Sequence, residues 1–69
     1  MSQTMTINGD RKQVAATTVA DLLAEEGIPL EAKGVAVALN GAVVRKIDWS
    51  ATALSVGDTL EIVKPFSGG

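Results

Sequence analysis

The chemistry open to this chain is narrowed first by what it lacks. It contains neither cysteine nor histidine. Without a thiolate or an imidazole, the usual nucleophile–base pairs and the commonest metal ligands are missing. Asp48 and Asp58 stand in loop-like sequence, where aspartate ordinarily serves turns. Asn8-Gly9-Asp10 and Asn40-Gly41 are turn signals, and no G-x-G-x-x-G or Walker pattern is present. A self-sufficient enzyme is therefore not expected. The group left over is the α-carboxylate of Gly69, preceded by Phe66, Ser67 and Gly68. At average glycine usage two terminal glycines arise by chance in about 0.5% of chains. The bland reading is a loose end or an expression scar, and the position of the pair directly after a strand and Pro65-Phe66 speaks against it.

A terminal carboxylate has an ordinary pKa of about 3.3–3.7, so at neutral pH it is ionised and inert toward nucleophiles. It becomes useful when a partner activates it, for instance as an acyl-adenylate. To reach a partner's active site it must thread a narrow channel, and glycine has no Cβ to obstruct the passage. The five residues 65–69 span at most roughly 17 Å when extended, enough to enter a neighbouring protein while the folded body stays outside.

The elements that must present this end follow from periodicity. Residues 3–8 alternate, with Met5 and Ile7 on one face, which predicts a half-buried strand. Asn8-Gly9-Asp10 turns the chain and residues 11–15 return, with Val14 inward. Residues 18–26 read as a helix: Thr18 is placed to cap, Asp21 follows three residues later, and Val19, Leu22 and Leu23 form one apolar stripe. Gly27 supplies the stop, and Glu25 and Glu26 read as solvated surface. Ile28 and Leu30 are expected to close the core edge.

Residues 35–39 predict a strand facing the core through Val35, Val37 and Leu39, paired across an Asn40-Gly41 turn with Ala42-Val43-Val44. Residues 45–55 read as irregular, with Trp49 and Leu54 as core or rim anchors. Gly57-Asp58 turns into a last strand over residues 59–64, with Leu60 and Ile62 on one face, and Pro65 ends the ladder. A ββαβββ order predicts an α+β fold, a mixed sheet with one helix across one face. With first and last strands parallel at its centre, that is the β-grasp. Residues 1–64 are expected to form this domain and residues 65–69 a flexible tail.

Six basic and eight acidic residues give a net charge of −2, which lacks the footprint of a nucleic-acid binder. The N-terminus is polar, and the longest apolar run, residues 35–39, is far below the roughly 20 residues of a membrane span. A cytoplasmic protein with no membrane partner is expected.

Gly34-Val-Ala-Val-Ala-Leu-Asn-Gly41, then Val44-Arg45-Lys46-Ile47-Asp48-Trp49, Val56-Gly57-Asp58, Leu60-Glu61-Ile62-Val63 and Gly68-Gly69 together resemble the sulfur-carrier proteins of thiamin thiazole biosynthesis (the ThiS family) over essentially the whole chain. The resemblance implies a ubiquitin-like β-grasp fold and a cycle on Gly69. In that cycle a ubiquitin-activating-enzyme-like adenylyltransferase uses ATP and Mg to adenylate the carboxylate, and a persulfide sulfur donor converts it to a thiocarboxylate. Thiazole synthase then takes the sulfur. The carrier binds no cofactor of its own, and Phe66, Ser67 and Gly68 enter the partner's active site with Gly69. The family often has proline where Arg45 stands, and a Val-rich stretch where this chain has Lys64-Pro65-Phe66-Ser67. A proline-containing tail also occurs in the small subunit of molybdopterin synthase (MoaD). That role, a ubiquitin-like protein modifier and a plain interaction module are the alternatives. Phe66 suits either a cover on the core edge or an aromatic anchor on a partner.

Overall fold

The computed structural model describes residues 3–29 and 31–64. The order is β1 (Gln3–Ile7), β2 (Asp10–Val14), α1 (Val19–Glu25), β3 (Ala36–Leu39), β4 (Ala42–Val44), a 3-10 helix (Lys46–Ala51) and β5 (Thr59–Val63). The strands form one five-stranded sheet in the order β2-β1-β5-β3-β4. β1 and β5 are parallel, and the other neighbours are antiparallel. This is the expected mixed sheet with the last strand at its centre, the β-grasp.

Both hairpins are closed by two-residue turns. Ile7 pairs with Asp10 and Leu39 with Ala42. Asn8 and Gly9 have φ of 50° and 85°, and Asn40 and Gly41 have 51° and 86°. Positive φ at both central residues is the requirement of a type I′ turn, whose twist matches that of the strands it joins. The tightness of the first turn explains why Asp10 belongs to β2 and β1 stops at Ile7, each one residue from the predicted boundary.

Helix α1 is delimited by its caps. The Thr18 side chain accepts the Asp21 N–H at 3.1 Å, as the spacing predicted. At the other end Gly27 has φ +80°. There the Gly27 N–H donates to the Ala24 carbonyl at 3.0 Å and the Ile28 N–H to the Leu23 carbonyl at 2.8 Å. These paired bonds form a Schellman motif, and it places Ile28 in the core beneath the helix end. Leu30, expected to close the core edge beside it, lies outside the described residues.

Val19, Ala20, Leu22 and Leu23 pack onto Met5, Ile7, Val14, Val37, Leu60 and Ile62 from the covered face of the sheet. Val35 and Leu39 are only partly buried at the rim of this cluster. Trp49 and Leu54 complete the core, and Trp49 is 1% exposed. Its indole Nε1–H donates to the Val44 carbonyl at 3.0 Å, so a polar group that would be costly to bury is satisfied. Residues 46–51 depart from the irregular expectation. The short helix here folds Trp49 inward while Ile47 stays exposed, a pattern with no amphipathic period to read.

Candidate functional site

The candidate site is the end of β5 and the residues that hold it. Along β5, Leu60 and Ile62 are buried while Thr59, Glu61 and Val63 are exposed, the alternation of a strand covered on one face. On the β3 side the register is Leu39↔Leu60, Ala38↔Glu61, Val37↔Ile62 and Ala36↔Val63. On the β1 side it is Thr6↔Thr59 and Ile7↔Leu60. The Thr6 N–H donates to the Asp58 carbonyl at 3.0 Å, and the Asn8 N–H to the Leu60 carbonyl at 2.9 Å.

Two asparagine side chains add to this ladder. Asn8 Oδ1 accepts the Ile62 N–H at 2.7 Å, and Asn8 Nδ2 donates to the Ile62 carbonyl at 3.2 Å. Across the strand, at its beginning, Asn40 Oδ1 accepts the Thr59 N–H at 2.9 Å while the Asn40 N–H donates to the Thr59 carbonyl at 2.7 Å. Asn40 Nδ2 also donates to Asp58 Oδ1 at 3.1 Å, and Asp58 Oδ2 accepts the Ser55 N–H at 2.8 Å. Asp58 is thus a turn residue, as expected. The asparagines do more than the sequence revealed. Each is legible as a turn former, but the Asn8 partner is 54 residues distant. The available signal is the choice of Asn over Asp, since an amide both donates and accepts.

The open face of the sheet carries small and apolar residues beside the end of β5. Val63 lies opposite Ala36, and Val43 opposite Ala38. Val63 is 62% and Val43 78% exposed. Among the described residues no group of three or more acidic, histidine or cysteine side chains could hold a metal ion. No helix there is long and apolar enough to cross a membrane. The predicted site residues Phe66, Ser67, Gly68 and Gly69, and Pro65 before them, lie outside the described residues.

A β-grasp domain with its last strand at the sheet centre, four residues ahead of a Gly-Gly sequence, has the architecture of a small carrier protein. The model of the ThiS family matches residues 3–69, and the chain belongs to that family, the small sulfur carriers of thiamin biosynthesis. The crystal structure of the thiamine biosynthesis protein ThiS from Geobacter metallireducens is 30% identical, with a TM-score of 0.79 over 97% of this chain and 100% of that one. The solution structure of a thiamine biosynthesis protein from the same organism aligns with the same identity and TM-score, over 97% of this chain and 88% of that one. No curated protein matches the chain.

Proposed function

We propose that the working group is the Gly69 carboxylate and that the folded body exists to present it to partner enzymes. The carboxylate oxygen attacks the α-phosphorus of ATP on a ubiquitin-activating-enzyme-like adenylyltransferase, with Mg held by that enzyme, and pyrophosphate leaves. The resulting acyl-adenylate is an electrophile, which an ionised carboxylate is not. The terminal sulfur of a donor persulfide then attacks the acyl carbon and expels AMP. A second thiol cleaves the resulting acyl disulfide to leave the thiocarboxylate and a disulfide on the donor side, and the thiocarboxylate passes its sulfur to thiazole synthase. The chain is a protein co-substrate in this cycle and its partners are the catalysts. The observation that carries the reading is the placement of β5. The strand that leads into residues 65–69 is central and bonded on both sides, so a partner gripping the body knows where the tail begins. The open face beside that point, where Ala36, Ala38, Val43 and Val63 surround the exposed Glu61, offers the partner a face to grip.

The test is ATP-dependent sulfuration by the cognate activating enzyme and sulfur donor, read by intact mass. The full-length chain should exchange one carboxylate oxygen for sulfur. Deletion of Gly69 displaces the reacting carbon by about 3.5 Å, far beyond the tolerance of a near-attack geometry. That variant should melt like the parent and acquire no sulfur. Gly68→Val should behave alike, because a β-branched side chain restricts and widens the threaded segment. Equal sulfuration of the truncated chain would overturn the reading. The Lys64-Pro65-Phe66-Ser67 sequence sustains a molybdopterin-synthase small subunit as the second reading. Transfer of the sulfur to thiazole synthase decides between the two.

A further inference from the structure

We infer that Asn8 is a positioning residue for activation, because its side chain stands in for the next peptide of β1 and keeps the end of β5 in the sheet. The inference rests on the carrier reading above. Even-numbered residues along β5 and just before it turn their backbone groups toward β1: the carbonyls of Asp58 and Leu60 accept the N–H groups of Thr6 and Asn8. Ile62 is next in that row, but β1 has ended at Ile7 and the chain has turned away through Asn8 and Gly9. The Asn8 amide fills the missing place, accepting at 2.7 Å and donating at 3.2 Å to the same residue. A carboxamide carries the donor and acceptor of a peptide group, whereas aspartate only accepts and glycine offers neither. Asn also tolerates the positive φ that this turn position demands, so one residue serves the hairpin and the neighbouring strand at once.

The consequence falls on docking. Without the amide, the Ile62 N–H and carbonyl lose their partner on the β1 side, the strand is held to β3 only through its odd-numbered residues, and the end of β5 frays. Each residue released from the ladder must be ordered again when a partner takes hold, at a cost of about tenfold in affinity. Once bound, the carboxylate sits where it did before. The expected signature is a raised KM for adenylation at unchanged kcat.

The variants are Asn8→Gly, which keeps the turn geometry and removes the amide, and Asn8→Asp, which keeps only the acceptor. Two measurements are made on each, with the full chain. Amide hydrogen exchange at Ile62 reports the clamp without any partner. Steady-state adenylation by the cognate adenylyltransferase, below the melting range of every variant, reports its use. In Asn8→Gly the Ile62 amide should exchange at least about tenfold faster and KM should rise about tenfold with kcat retained. Asn8→Asp should fall between that variant and the parent in both. Unchanged exchange at Ile62, an unchanged KM, or a loss confined to kcat would each overturn the inference. Failure of the parent itself to be adenylated would instead overturn the carrier reading, and the exchange result would still judge the clamp by itself.

Discussion

Replacing Leu23 by alanine probes the contact on which the whole sheet depends. Leu23 is 0% exposed and belongs to the cluster that joins α1 to the covered face of the sheet. Truncating a fully buried leucine costs about 2–5 kcal/mol, through lost transfer energy and the cavity left behind. A chain of 69 residues has a total stability of about 3–10 kcal/mol, so the substitution removes a large share of it. At a urea dependence of about 1 kcal/mol per molar, the unfolding midpoint should fall by about 2 M or more. The assay is built into the protein. Trp49 is its single tryptophan and is almost wholly buried in the same core. Its emission therefore shifts to the red on unfolding and reports the global transition. A midpoint within about 0.5 M of the parent, with the slope unchanged, would refute the packing of this helix face.

Two further substitutions test narrower contacts. Thr18→Ala removes the acceptor of the Asp21 N–H and should cost about 1 kcal/mol, read from urea titrations of the Trp49 emission. Trp49→Phe removes the indole donor to the Val44 carbonyl and leaves unfilled volume in the core. It should cost about 1–4 kcal/mol by circular dichroism melts, and a change near zero would show that the indole bond contributes nothing.

The fold was largely readable because its signals are local. Asn-Gly at both hairpins, Thr18 three residues ahead of Asp21, and Gly27 after the last helical turn each act through their own backbone. Met5 and Ile7, or Leu60 and Ile62, declare their face by alternation alone. The 3-10 helix is not legible because, of Ile47 and Trp49, only Trp49 is buried, which leaves no apolar period to read. At the site, the Gly-Gly end stands out by composition, since it needs no partner in the chain to be noticed. The amide clamp on Ile62 was hidden for the opposite reason. It joins residues from opposite ends of the sequence, and its meaning depends on β1 stopping one position short of its neighbour.

The two outer strands of the sheet bear on how the molecule behaves in a crowd of its own kind. Exposed strand edges are templates on which another chain can add itself, the first step toward aggregation. Here one edge is β2, whose sequence Asp-Arg-Lys-Gln-Val places charges of both signs along its length. The other is β4, only three residues long. A stranger's strand meets unlike charges on one side and too short a ledge on the other. The central strand can thus be held as rigidly as a carrier requires without the sheet becoming a seed for fibrils.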